Sequence, residues 1–200
     1  MKSPLLLGND IRELDAATLS IINNPAIIAI SQDPRGKAVQ RVSINTAVAK
    51  DEYGVGEAQV WSGPLANGDQ VVILLNAANE DLDMAVSLDE IFVADGPGGS
   101  APQVQQTWAV HDLWANRMTE ADAETVLSSG RLVGAYNSTE IPYSQGLRDE
   151  DPRLFGKRIE KVKPGGKVQT RVPRHAAKVF RLRSADGKDK ARKYLLKEEL

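Results

Sequence analysis

The chain has 200 residues, 42% of them hydrophobic and 26% charged, with a formal net charge of -2, a balance that suits a globular protein and excludes the disordered and fibrous classes. It contains no cysteine, which excludes disulfides, thiolate metal sites and cysteine nucleophiles. No apolar run approaches the roughly 18 residues of a membrane span, and the opening Met1-Lys2-Ser3-Pro4-Leu5-Leu6-Leu7 is shorter than a signal-peptide core of about 7 to 15 residues, so neither a membrane partner nor an export signal is expected in this chain.

Pro4 to Gly8 reads as a short strand ended by glycine. Asn9 or Asp10 then caps a helix in which Ile11, Leu14, Ala17, Leu19, Ile21 and Ile22 keep helical spacing, and Asn23-Asn24-Pro25 stops it. Ala26 to Ser31 is a continuous apolar run, the pattern of a strand covered on both faces, so residues 1–36 predict a β-α-β unit. After Gly36 the pattern becomes all-β. Gln59 to Ser62, Gln70 to Asn76, Met84 to Leu88, Thr107 to Asp112, Lys167 to Val172 and Val179 to Arg183 are short strands parted by turn residues. Asn67-Gly68-Asp69 is the clearest hairpin signal. Gly96 to Pro102 is a loop by composition, Met118 to Ser129 predicts one or two helical turns, and residues 184–200 read as a charged tail.

Residues 1–147 carry a net charge of -11 and residues 148–200 one of +9. A basic arm for nucleic acid is one reading. The basic residues are spread along strands without stacking aromatics between them, so no nucleic-acid partner is expected. His111 and His175 stand apart from any ligand spacing, so no metal is assigned, and no cofactor either. Trp61, Trp108 and Trp114 fit either a sugar-stacking platform or a core role, and the core role is expected for Trp61 and Trp114. Asn137-Ser138-Thr139 is an N-glycosylation sequon, which acts only if the chain enters the secretory path. Lys197-Glu198-Glu199-Leu200 is similar to an endoplasmic-reticulum retrieval address, or else simply ends a charged tail.

The segment Ser3 to Arg12, the segment Asn24 to Ile30 ending in Gln32-Asp33-Pro34-Arg35-Gly36, and then Gln59 to Leu65, Asp112 to Arg117, Arg153 to Gly156 and Val172 to His175, in this order, resemble the fungal melibiase-type α-galactosidases over about residues 2–183. The resemblance implies a mainly β fold: an antiparallel β-sandwich over 37–183, preceded in 1–36 by the last strand-helix-strand of a TIM barrel. Three departures stand out: Ser31 where the family usually has asparagine, Arg35 where it prefers an apolar residue, and Ala176 where glycine is common.

By that resemblance the parent activity is retaining hydrolysis of terminal α-linked galactose, with galactosides as the partner of a barrel that is missing here. Retaining hydrolysis needs two carboxylates about 5 Å apart at barrel strand ends, and the family's two catalytic aspartates correspond to positions before Met1. No catalytic residue is therefore assigned within the 200 residues. Asn9, Asp10 and Asp33 lie near the expected strand ends, yet a helix cap and a turn before proline account for them. The parent is expected to be secreted or held in the endoplasmic reticulum. Two other classes stay open, a stand-alone carbohydrate-binding or scaffolding sandwich and a basic-tailed binding module.

Overall fold

The computed structural model describes residues 8, 10–92, 101–130, 136–138 and 140–185. The strand expected from Pro4 onward, the Asn9 cap, most of the Gly96 to Pro102 loop, Thr139 and the charged tail from residue 186 on, with Lys197 to Leu200, lie outside these residues. In chain order the elements are α1 (Ala16–Ile22), α2 (Pro25–Ser31), β1 (Gln40–Asn45), β2 (Ala58–Pro64), β3 (Gln70–Asn76), β4 (Leu82–Ser87), α3 (Leu88–Ile91), β5 (Trp108–Asp112), α4 (Glu120–Ser129), α5 (Tyr143–Arg148), α6 (Pro152–Phe155), β6 (Lys157–Val162), β7 (Lys167–Val172) and β8 (Ala176–Ser184). They form two compact units, one of residues 1–36 and 113–157 and the other of 37–112 and 158–200.

The second unit is an antiparallel β-sandwich. Its larger sheet runs β1-β2-β3-β8-β5-β6 and its smaller sheet pairs β4 with β7. Alternation along the strands sends one set of side chains inward: Val60 from β2, Val72 and Leu74 from β3, Val86 from β4, Trp108 and Val110 from β5, Val168 and Val172 from β7, and Phe180 and Leu182 from β8 are all buried in one cluster. The Asn-Gly hairpin stands where the sequence placed it. Asn67 at φ 61° and Gly68 at φ 74° are both left-handed, a pair of conformations that Asn-Gly adopts at low cost. β2 and β3 then pair without slip from Ala58 opposite Asn76 to Pro64 opposite Gln70.

The other unit is helical, and its second helix corrects the second strand expected in residues 1–36. The run Ala26 to Ser31, expected as a strand, is the body of α2. Asn24 caps that helix, its Oδ1 accepting from the Ala26 N–H at 3.0 Å and the Ile27 N–H at 3.4 Å. Pro25 stands in its first turn, where a missing N–H costs nothing. Ala26 and Ala29 are buried three apart, a helical spacing that a short apolar run cannot distinguish from a buried strand. The first helix also starts later than expected. Asp10 caps only a short 3-10 turn, Ile11–Glu13, and α1 begins after Asp15, whose side chain accepts from the Thr18 N–H. Leu113–Lys157, expected within the sandwich, is grouped with residues 1–36: α1 packs on α4 and α2 on α6, and Ala29, Leu147, Leu154 and Phe155 share a small core.

Candidate functional site

A glycosidase site needs paired carboxylates facing a cleft. Asp10 accepts from the Arg12 backbone N–H at 3.0 Å and from its guanidinium at 2.9 and 2.6 Å, and these bonds hold its carboxyl below the usual range. Asp33 is buried, and its Oδ1 accepts from the Arg35 N–H at 3.0 Å, closing the turn that runs through Pro34 to Gly36. Both do the capping and turn-forming work expected of them, in two separate turns. In the helical unit an open groove of about 640 Å³ is lined by Ala16, Ala121, Glu124, Thr125, Leu127 and Ser128. It offers one carboxylate, and one is too few for acid/base chemistry at a sugar. Among the described residues no group of three histidine or acidic side chains is placed to hold a metal ion.

A buried charged cluster in the sandwich was not anticipated from the sequence. Asp69, at the end of the β2–β3 turn, is 2% exposed and Arg181 on β8 is 1% exposed. The Asp69 carboxylate accepts from Arg181 Nη1 at 3.0 Å, from Arg183 Nε at 3.0 Å and from Arg183 Nη2 at 2.9 Å. Burial pushes the Asp69 carboxyl above the ordinary carboxylate range, against the pull of Arg183 and Arg181. Val71 lies opposite Arg181 on β3, and His111 lies opposite it on β5. The signal was the spacing of Arg181 and Arg183, two apart in an apolar strand, which puts both on one face.

The remaining candidates separate by burial. Trp108 is 1% exposed and donates from Nε1 to the Gln103 carbonyl at 2.9 Å. Trp61 and Trp114, expected in the core, are only half-buried. Trp61 falls on the face of β2 opposite to the core residue Val60, and its Nε1 donates to Gln59 Oε1 at 2.6 Å. Arg41, its cross-strand partner, lies 5.9 Å from its ring centre. Arg117 stands at the same 5.9 Å from the Trp114 ring. With Trp61 on β2 and Trp114 beyond the end of β5 in the helical unit, these two rings belong to different units. Exposed His175 carries the left-handed conformation of the β7–β8 turn, φ 54°. Ala176 therefore enters β8 without strain, and its departure from glycine is harmless. Asn137 is half-buried, and its carbonyl accepts from the Glu140 N–H at 3.3 Å and the Ile141 N–H at 3.1 Å.

Comparison with known proteins gives this geometry a context. Residues 55–145 match the α-galactosidase C-terminal β-sandwich domain. Over 185 residues, 92% of this chain, it is 45% identical to an α-galactosidase of Zygotorulaspora mrakii and 42% identical to α-galactosidase 5 of Saccharomyces cerevisiae. In both cases the match takes in 39% of the relative, so the chain spans about two fifths of the length of these curated relatives. Among solved structures, that of S. cerevisiae α-galactosidase with raffinose superimposes with a TM-score of 0.85 at 40% identity, over 92% of this chain and 41% of that one. α-Galactosidase I of Mortierella vinacea follows at a TM-score of 0.57 and 25% identity, over 92% and 32%.

Proposed function

We propose that this chain, which is similar over 92% of its length to yeast α-galactosidases and matches their C-terminal β-sandwich domain over residues 55–145, completes an enzyme that releases terminal α-linked galactose, and that these 200 residues by themselves do not catalyse that reaction. The observation that carries the reading is the one-sided match: nearly all of this chain aligns, with two fifths of each yeast relative. Three carboxylates agree with it: Asp10 and Asp33 close turns and Asp69 is held between two guanidinium groups. The sandwich then has the role of a stable partner to a catalytic barrel, and galactosides reach the parent through that barrel.

The test is an aryl α-galactoside assay on the purified chain. Background hydrolysis is expected, and turnover abolished by a single substitution in this chain would overturn the reading. Reading the genomic sequence upstream of Met1 gives a second check, with an in-frame barrel as the expected result. A secretory route for the parent goes with this function, and on that route the sequon makes Asn137 a glycan acceptor. Endoglycosidase treatment of the secreted parent should then shift its mobility, and Asn137→Gln should remove one step of that shift.

A further inference from the structure

Asn67-Gly68 is the one Asn-Gly pair in the sequence, and both residues are exposed at the tip of the β2–β3 turn. Beyond its two chain neighbours no residue comes within 4 Å of the place where a Gly68 side chain would stand, so nothing from the rest of the fold packs over the turn there. In such a pair the deprotonated Gly68 nitrogen can bond to the side-chain carbonyl carbon of Asn67. The bond from that carbon to the side-chain nitrogen breaks, ammonia leaves with the proton it gains from water, and a five-membered succinimide remains. Water then opens the ring at either carbonyl to give aspartate or isoaspartate. No oxidant or reductant takes part.

The folded turn opposes this chemistry. Ring closure needs the Gly68 nitrogen turned toward the Asn67 side chain, which takes a strongly negative ψ, whereas the turn holds Asn67 at φ 61° and ψ 21°. The base of the turn is fastened twice. The Leu65 N–H donates to the Asp69 carbonyl at 2.8 Å and the Asp69 N–H to the Ala66 carbonyl at 3.3 Å, while the Asp69 side chain is held by Arg181 and Arg183 on β8.

We propose that Asn67 is a self-modification site, deamidating with water as the co-reactant, and that the Asp69–Arg181–Arg183 cluster sets its rate by keeping the β2–β3 turn closed. Isoaspartate at 67 adds a methylene to the main chain two residues before Asp69. The product therefore pulls on the same clamp that restrained its formation, and a modified turn does not close back to its original geometry.

The full chain, held in mildly alkaline buffer, is sampled over time by peptide mass spectrometry for the amide-to-acid mass gain at position 67, with enzymatic methylation to count isoaspartate. Conversion should run roughly tenfold or more slower than in a synthetic peptide of residues 65–70, as expected when a reaction waits on local opening. The variant Arg183→Ala should bring the rate most of the way to that of the peptide. Conversion in the parent at the peptide's rate overturns the proposal, as does a rate unmoved by Arg183→Ala. Should that variant not fold, urea below the unfolding transition of the parent replaces it: acceleration supports the proposal, and a constant rate overturns it.

Discussion

The sandwich and the helical unit are held together by different means. In the sandwich a continuous apolar cluster draws on β2 to β8 and α3, so its stability is spread over many apolar contacts. The helical unit has a smaller core: Ala29, Leu147, Leu154 and Phe155 form one cluster backed by stacked Tyr136 and Tyr143, and Ala26, Leu113, Met118 and Ala123 are buried as well. Its short helices depend on side-chain caps from Asp15, Asn24, Thr119 and Asp151. Helices of four to ten residues are not stable by propensity alone. The contrast implies that the sandwich sets the cooperative stability of the chain and that the helical unit gives way first.

The harshest way to break that comparison is to remove residues 1–36. α1 and α2 are the partners of α4 and α6, so the deletion should leave a cooperative sandwich transition and abolish helical structure in residues 113–157. Circular dichroism and hydrogen exchange read both at once, and full protection of α4 in the truncated chain would refute the division. Asp69→Ala comes next. It leaves Arg181, 1% exposed, without a carboxylate it now bonds, and breaking a buried pair from one side costs about 3 to 5 kcal/mol. The figure belongs to the orphaned guanidinium groups, since burial already works against the ionised Asp69 carboxyl. A denaturant midpoint near that of the parent would show that the cluster is wet.

Trp108→Ala should cost about 3 to 5 kcal/mol, the usual loss for a large buried aromatic, while Trp61→Ala should cost clearly less because that ring is half-buried on the other face. Equal losses would place Trp61 in a core of its own. In the helical unit Asn24→Ala removes the cap of α2 together with the bond from Nδ2 to the Leu113 carbonyl at 3.1 Å. About 1 to 2 kcal/mol is expected, the upper range for caps, and it should appear as faster exchange in α2 with the sandwich transition unmoved.

Legibility in the sequence followed burial. Gln70 to Asn76 and Lys167 to Val172 were readable to the residue as β3 and β7, because β3 is a run of Val, Ile and Leu bounded by turn residues and β7 sets Val168 and Val172 on one covered face. β1 and β6 escaped notice: their residues are mostly exposed, and an edge strand carrying Gln, Arg and Lys has no apolar rhythm to find. The Ala26 to Ser31 run misled for the opposite reason, since an apolar stretch of six carries no period, and the Asn24-Pro25 cap that decides for a helix looked like a stop. The charged cluster was hidden because Asp69 does two jobs, closing a turn whose Asn-Gly signal fully accounted for it and meeting two arginines more than a hundred residues away in sequence.

The smallest expected effect tests the sandwich through its pH dependence. Ser87 and Glu90 form a capping box at the start of α3: the Ser87 N–H and hydroxyl donate to Glu90 Oε2 at 2.8 and 2.7 Å, and the Glu90 N–H donates to Ser87 Oγ at 3.2 Å. The two Ser87 donors, the backbone N–H foremost, hold the Glu90 carboxyl below its ordinary range. A carboxyl lowered on folding stabilises the native state fully above its unfolded value and loses that contribution as pH falls through the native one. Acid should therefore weaken the sandwich by this route, and alkali should not. Glu90 is largely exposed, so solvent screening keeps the effect to about 0.5 kcal/mol or less. Denaturant melts of the parent and Glu90→Gln across the acid range should differ in slope where Glu90 titrates and run parallel above it. Curves parallel throughout would mean that the Ser87 bonds are no stronger in the folded chain than the water they replace.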